Sequence, residues 1–175
     1  SSVATRRQAG HWVSSGSVPE DHRKARHAVY EALVVAAGFL SLRNEHEAGF
    51  DFPDISAMYK GYEDRLYRVD QMYRYFCENA DVAAAKGWDM LKPLREDIEA
   101  CYTNWYQTTL ALAWGKFVDA ELPDRWTIEG VKNQYQFFDR QVRPWLDEGD
   151  KRRAFVIISD AMRYEVAQEL TTHLN

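Results

Sequence analysis

The chain has 175 residues, of which 46% are hydrophobic and 28% are charged, a composition typical of soluble globular proteins. Its formal net charge of -5 argues against a strongly electrostatic nucleic-acid or membrane binder, because such proteins carry a basic balance. The longest apolar run, Ala32 to Leu40, is far shorter than the roughly 20 residues that cross a bilayer, so we expect no membrane contact and a cytoplasmic location. Cys77 and Cys101 lack CxxC spacing and are expected to be buried free thiols.

Most of the chain, from residue 17 to 147, shows the three-four apolar spacing of amphipathic helices. A first long helix is expected to start at the capping-box pattern of Ser17 and Glu20 and to end between Asn44 and Gly49. Asp54 follows a proline and is predicted to cap the second helix, whose inward face is rich in aromatic residues.

Two further helices are predicted after a polar, alanine-rich connector. The third is expected to begin near Asp89 or Pro93 and to stop before Pro123, which cannot continue a helix. The fourth is predicted to begin around Thr127, and Pro144 should end or kink it.

These segments predict a mainly α fold, with an antiparallel helical bundle over residues 1 to 147. Six of its side chains are expected to be buried: Leu33, Phe39, Leu66, Phe76, Ile98 and Trp105. Truncating Leu33 to Ala should therefore cost on the order of 2 to 5 kcal/mol. Charged residues of the second helix are expected to form a solvated face with weak ion pairs: Glu63, Asp64, Arg65, Arg68, Asp70 and Arg74.

A different pattern follows residue 152 and predicts a strand, an acidic turn and a helix. Phe155 to Ile158 is a short apolar run rich in β-branched residues, typical of a buried parallel strand. Beyond the turn, apolar residues recur four apart on one helical face, at Met162, Val166, Leu170 and Leu174. Asp160 lies where the strand ends, the position at which open α/β sheets hold metals and substrates. The alternative interpretation is that Asp160 is only a helix N-cap.

The amino-acid sequence of this segment resembles that of a known family. Val156 to Leu170 reads Val-Ile-Ile-Ser-Asp-Ala-Met-Arg-Tyr-Glu-Val-Ala-Gln-Glu-Leu, and it is similar to the opening strand and helix of the PglZ family. PglZ proteins are the phosphatase-like component of BREX and phage growth limitation defence systems and belong to the alkaline phosphatase superfamily. The resemblance implies that residues 152 to 175 begin a truncated α/β alkaline-phosphatase-like core. It also implies that Asp160, ending the first core strand, is a ligand of a catalytic divalent metal.

The same resemblance implies a function for the larger protein. We expect the chain to be an internal fragment of a metal-dependent phosphatase or phosphodiesterase, acting on a phosphoester or nucleic-acid substrate. The superfamily's nucleophile and remaining metal ligands lie downstream of this first strand and helix. The fragment alone is therefore expected to contain no catalytic residue, to be inactive and to bind no metal tightly.

The alternative is a helical scaffold or interaction module that docks other BREX proteins and has no activity of its own. The aromatic content of 14% favours such a surface, although most aromatic residues should pack between helices. The sequence leaves the metal, the substrate, the docking partner and the oligomeric state open.

Overall fold

The computed structural model describes residues 2–10, 13, 19–123, 126–149 and 153–175. The α-helices, in chain order, are α1 (Ser2–Gln8), α2 (Glu20–Glu45), α3 (Ile55–Gly61), α4 (Tyr67–Ala84), α5 (Lys92–Cys101), α6 (Thr108–Glu121), α7 (Arg143–Asp147) and α8 (Tyr164–Leu174). Within the described ranges the regular structure is helical and contains no strand. The prediction of a mainly α fold is therefore confirmed.

The core of the fold is an antiparallel pair made by α2 and α4. Lys86, just beyond the end of α4, pairs with Asp21 at the start of α2 at 2.8 Å, and Arg65, just before α4, pairs with Glu45 at the end of α2. Gly38 allows close approach, because a Cβ at this position would lie 3.4 Å from the sulfur of Met72. Small residues on α2 thus let the two helices pack tightly.

The side of α2 that faces this partner differs from the predicted one. Its buried residues are mostly small: Ala25, Ala28, Val29, Ala32, Ala36, Phe39 and Leu42. Leu33 is 37% exposed, so the prediction that it is buried is wrong. Successive helical residues are 100° apart, and burying Ala32 turns its neighbour Leu33 toward the flank of the helix. Of the other predicted core residues, Phe39, Leu66, Phe76 and Ile98 are buried as expected, and Trp105 is half-buried.

Helix α5 packs beside α4, and α3 packs against α6. Helix α3 begins at a side-chain cap, because Asp54 Oδ1 accepts a hydrogen bond from the backbone N–H of Ala57 at 2.7 Å, as predicted. Helix α5 follows a single 3₁₀ turn, Asp89–Leu91, and runs antiparallel to α4, with Arg95 bonded to Asp81 at 2.5 Å.

π-helical segments separate these helices from their continuations. One, Tyr62–Leu66, joins α3 to α4, and another, Tyr102–Gln107, joins α5 to α6. Each inserts extra residues into a helical turn and so rotates the following side chains to new directions. Tyrosines from both segments bond to the same residue of α4, Asp70.

The fourth predicted helix is largely absent from the described residues. Residues 126 to 133 are irregular, with Gly130 at φ 79° and a turn in which Val131 N–H bonds to Ile128 C=O at 3.1 Å. Helical turns follow only later, at Gln134–Gln136, Phe138–Val142 and α7. A positive φ suits glycine and breaks the helix that the apolar spacing predicted. Pro144 lies in the first turn of α7, where no amide hydrogen is needed.

The N-terminal segment lies against α2. Helix α1 contacts α2 through Gln8, whose amide nitrogen donates to Glu31 Oε2 at 2.5 Å. The predicted capping serine, Ser17, lies outside the described residues; α2 begins at Glu20 and has Pro19 as its N-cap, without a side-chain cap.

Among the described helices, α2 alone is long and apolar enough to cross a membrane by length and composition. A long core helix meets the same two criteria, and α2 is the helix that packs most extensively against α4.

Candidate functional site

The predicted strand is an exposed, irregular segment in this chain. Phe155, Ile157 and Ile158 are 89%, 94% and 88% exposed, and residues 153 to 159 form neither helix nor strand. A strand requires a neighbouring strand to accept and donate its backbone hydrogen bonds, and the described residues provide none. The apolar run therefore remains without the partner that its composition predicts.

Asp160 lies in an exposed turn directly after this run. Its Oδ1 accepts a hydrogen bond from the N–H of Ala161 at 2.9 Å, and Ala161 has a left-handed backbone with φ 55°. Such a conformation is uncommon for alanine and is often found at functional sites. Helix α8 begins only at Tyr164, with Arg163 as its N-cap. The alternative interpretation of Asp160 as the N-cap is therefore wrong.

Helix α8 packs on α4 through polar residues instead of the predicted apolar row. Glu165 is fully buried, whereas Leu170 and Leu174 are exposed and Met162 precedes the helix. Tyr164 lies between Tyr62 and Tyr67, with ring centroids 5.7 and 5.5 Å away. Leu170 and Leu174 are consequently directed away from the helical region, whereas Val166 is half-buried.

A buried carboxylate, Asp70 on α4, lies at the centre of the contact. It is 6% exposed and accepts four hydrogen bonds. Tyr102 and Arg163 Nη2 donate to Oδ1 at 2.7 and 2.9 Å, while Tyr62 and Tyr106 donate to Oδ2 at 3.0 and 2.8 Å. Both oxygens of the buried carboxylate therefore have two donors each, which compensates its loss of water.

The tyrosine hydroxyls are held protonated by this environment. Burial, followed by the hydrogen bond to Asp70, raises the pKa of Tyr102 to about 12. Burial and the negative charge of Asp70 also raise the pKa values of Tyr62 and Tyr106. All three residues consequently act as hydrogen-bond donors at neutral pH, and none is poised to act as a base.

A second ion pair joins the same two helices one turn further along α4. Arg74 Nε lies 3.2 and 3.0 Å from the two oxygens of Glu165, and Arg74 Nη2 lies 2.9 Å from Glu165 Oε2 and also bonds to Glu169. Arg74 Nη1 bonds to the exposed Glu78 at 3.1 Å. The hydrogen bond to Glu165 is the main cause that raises the pKa of Arg74, and Arg74 in turn lowers the pKa of Glu169.

A groove of about 490 Å³ runs beside the exposed segment, between Val156–Ser159 and residues 132 to 141. Lys132 and Arg140 line it together with several amide side chains, and its described lining contains no carboxylate. In an acidic chain this groove is locally basic.

Comparison with known proteins decides the relationship. A family model described as the BREX system PglZ alkaline phosphatase-like domain matches residues 137–175. The chain is 41% identical over 174 residues to the alkaline phosphatase-like protein BrxZ of Escherichia coli O9:H4 (strain HS). It is 33% identical over 173 residues to the alkaline phosphatase-like protein PglZ of Bacillus cereus (strain H3081.97).

This chain belongs to the PglZ family. Both alignments cover 99% of the chain but only 19% and 18% of the relatives, so the chain spans about a fifth of their length. The PglZ domain match begins at residue 137, inside the segment that the sequence assigned to the helical region. No solved structure gives a significant match to the chain.

The described part of this PglZ-family chain does not by itself form a metal site. Within it, no group of three or more His, Cys, Asp or Glu side chains converges to hold an ion. Asp160 is accessible and carries the right kind of ligand atoms, but a catalytic divalent ion needs several such groups. The assignment of Asp160 as a metal ligand stays a prediction.

The sequence interpretation missed two ion pairs that attach the segment similar to PglZ, Val156 to Leu170, to the helical region. This segment is called the PglZ motif below. It assigned Asp70 and Arg74 to a solvated face, whereas Asp70 is buried and Arg74 is mostly covered. One signal was available for Asp70, which lies four residues after Leu66 and three before Tyr73, within the apolar row of its helix. A carboxylate inside an apolar row needs a buried partner.

Proposed function

We propose that this chain is the helical support and the first core segment of a metal-dependent phosphoester hydrolase of a BREX system. The observation that carries the proposal is the way α8 is held. Arg163 and Glu165 join the motif to the helical region, while Asp160 and the apolar run before it stay accessible. The likeness to BrxZ and PglZ, both named alkaline phosphatase-like, supports the same conclusion.

In this proposal the exposed apolar segment becomes a core strand in the full-length protein, meaning a chain of the relatives' size that contains this sequence. Phe155 to Ile158 has the β-branched composition of a buried parallel strand and lacks a partner among the described residues. Strands from other parts of the full-length protein would pair with it. Asp160 would then lie at the carboxyl end of a sheet strand, where α/β folds bind ligands.

A divalent ion in such a site would supply charge stabilisation for a phosphoester oxygen and activate a nucleophile. The contribution of this chain is one carboxylate, Asp160, and the helical region that holds its turn. The basic groove lined by Lys132 and Arg140 ends at Ser159, next to Asp160, and favours an anionic substrate. Phosphomonoesters, phosphodiesters, nucleotides and nucleic acids all satisfy this condition.

The test uses the purified full-length protein with chromogenic phosphomonoester and phosphodiester substrates, with and without added divalent ions. We expect activity that depends on the ion and that Asp160→Asn abolishes, because asparagine keeps the side-chain shape but removes the ligand charge. Asp51→Asn, at an exposed aspartate in the loop before α3, is the matched control and should keep activity. Full ion-dependent activity in a well-folded Asp160→Asn protein would contradict the ligand assignment.

A second candidate function is docking of other BREX proteins by the helical region. The observation that favours it is a group of exposed aromatic residues outside the core: Trp126, Tyr135 and Phe138 are 73%, 75% and 51% exposed. Exposed aromatic side chains of this kind are enriched at protein interfaces. The matching family model is described as a domain of the BREX system, which makes other BREX proteins the proposed partners.

The docking proposal is tested by copurification of the full-length protein with the other subunits encoded by its own BREX system. Replacing Tyr135 and Phe138 together by Ser should weaken recovery of a subunit, whereas Met90→Ser, at an exposed apolar position elsewhere, should not. Salt-sensitive binding of duplex DNA with no subunit recovered would reverse the ranking of partners.

We also propose that the full-length protein acts in the cytoplasm. Cys77 and Cys101 are free thiols, as is usual in a reducing compartment, and burial raises the pKa of both thiols.

A further inference from the structure

We infer that Asp70 is a positioning residue: through Arg163 it fixes the place of the turn that carries Asp160 on the helical region. The role given to Asp160 rests on the proposed function, but the positioning itself rests on contacts within this chain. Arg163 lies three residues after Asp160 and is the N-cap of α8. A contact that fixes Arg163 therefore limits the positions open to the turn.

Asp70 is suited to this task because it is itself immobilised. Its two oxygens accept hydrogen bonds from tyrosines that belong to two different helical segments, at 2.7 to 3.0 Å. The hydroxyl of Tyr106 also lies 3.0 Å from the backbone carbonyl oxygen of Leu66, so the single hydroxyl proton is shared between this oxygen and Asp70. A buried carboxylate held from several directions has one available orientation, and that orientation presents Oδ1 to Arg163.

Arg163 is bound by more than the charge of Asp70. Its Nη2 lies 2.9 Å from Asp70 Oδ1 and 2.7 Å from the hydroxyl of Tyr102. Burial lowers the pKa of the guanidinium, but the bond to Tyr102 and the charge of Asp70 outweigh that effect, so the pKa is raised. The side chain is 51% exposed, so this bond is the part of the cluster closest to solvent.

The second ion pair, between Arg74 and Glu165, fixes the orientation of the motif along α4. On α4 the acidic Asp70 precedes the basic Arg74 by four residues, and on the motif the basic Arg163 precedes the acidic Glu165. Reversing the motif on α4 would bring Arg163 to Arg74 and Glu165 to Asp70. Two like-charge contacts would then replace two ion pairs, so only one orientation of the motif is favourable.

The cavity beside this cluster does not indicate a ligand site. It measures about 320 Å³ and is lined by Asp70, Arg163 and the surrounding tyrosines. Each of these polar side chains is already bonded to another member of the cluster. An incoming ligand would have to displace those bonds, which favours a positioning role over a binding role.

Hydrogen exchange of the full-length protein tests the inference without reference to activity. The amides of Val166 and Ala167 donate to the carbonyl of Arg163 at 3.1 and 3.0 Å and report on the start of α8. We expect about tenfold faster exchange of peptides covering residues 160 to 172 in Asp70→Asn and in Arg163→Gln. The double variant should be no faster than either single variant, since both changes remove the same interaction. Arg68→Gln, at an exposed position on α4, is the control and should leave exchange unchanged.

The kinetic arm uses the same variants and separates positioning from folding. If the turn carries a reacting group, kcat should fall about tenfold with KM unchanged, and Arg163→Lys should recover part of the loss because it keeps the charge. Unchanged exchange in Asp70→Asn and Arg163→Gln, or additive effects in the double variant, would overturn the inference. Exchange that rises while kcat stays the same would overturn the claim that the contact serves the site.

The proposed function is contradicted by an activity measurement on Asp160→Asn, and not by the exchange measurements. If Asp160→Asn keeps full ion-dependent activity, Asp160 is not a ligand, and the exchange measurements alone then decide whether Asp70 positions the turn. The two failures are therefore distinguishable.

Discussion

Arg163 Nη2 lies 2.9 Å from Asp70 Oδ1, although the two residues are 93 positions apart in the sequence. The bond joins the PglZ motif to the middle of the helical region, and the second pair, Arg74 with Glu165, lies one helical turn away. The motif therefore has two functions in this chain. It carries Asp160 in an accessible turn, and it supplies the residues that attach that turn to the bundle.

The first prediction concerns the buried carboxylate of the second pair. Glu165 is fully buried and bonded to Arg74, so Glu165→Ala leaves a mostly covered guanidinium without its main partner. We expect a loss of about 3 kcal/mol in the free energy of unfolding, measured in urea. Glu78→Ala removes an exposed partner of the same Arg74 and should cost less than about 0.5 kcal/mol. Equal losses in the two variants would mean that burial of Glu165 is not the source of the stabilisation.

The second prediction compares two apolar residues of the central helices. Phe76 is fully buried, and Phe76→Ala should lower the free energy of unfolding by about 3 to 5 kcal/mol, because it leaves a cavity in the core. Leu33→Ala should cost less than about 1 kcal/mol, since the side chain of Leu33 is on the exposed flank of α2. A loss of 2 kcal/mol or more for Leu33→Ala would show that the sequence interpretation of this helix face was correct.

The third prediction is the dependence of stability on alkaline pH. The pKa of Tyr102 is raised from 10 to about 12, so the folded chain holds this proton more tightly than the unfolded chain. Its contribution is complete below about pH 10 and is lost as the pH rises through about 12.

Unfolding in urea between pH 8 and pH 12 measures this effect. The free energy of unfolding should fall more steeply above pH 10 in the wild-type chain than in Tyr102→Phe, by up to about 1.4 kcal/mol per pH unit. Tyr135→Phe, at an exposed tyrosine, should follow the wild-type curve. Parallel curves for wild type and Tyr102→Phe would contradict the raised pKa.

The fourth prediction concerns backbone strain beside Asp160. Ala161 has φ 55°, a conformation that glycine adopts without a steric cost. Ala161→Gly should therefore raise the midpoint of thermal unfolding, by an amount equivalent to roughly 1 kcal/mol. Ala100→Gly, at an exposed position inside α5, should lower it by a similar amount. Destabilisation by Ala161→Gly would show that the turn has a different backbone conformation.

Local chemistry allowed several features to be predicted from the sequence alone. The cap at Asp54 was predictable because a side-chain oxygen and an amide three residues later are neighbours in any helix that starts there. The burial of Phe39, Leu66, Phe76 and Ile98 followed from apolar spacing within single helices. The family relationship followed from the short segment around Asp160.

Other features depended on residues far apart in the chain. Phe155 to Ile158 has the composition of a strand, but a strand exists only with a partner, and the described residues supply none. Thr127 to Val131 do not form the helix that their apolar spacing predicted, because the chain turns at Gly130.

The motif itself has features that adjacent residues determine and features that only tertiary contacts determine. The sequence alone determined that Asp160 follows an apolar run and precedes a helix, because both features depend on residues that are neighbours in the chain. Only the tertiary structure decided that α8 turns its charged side inward, because the partners of Arg163 and Glu165 are Asp70 and Arg74 on a helix some 90 positions away. Spacing identifies which side chains share a helix face, but the choice of the buried face depends on which partner neutralises the charges on it.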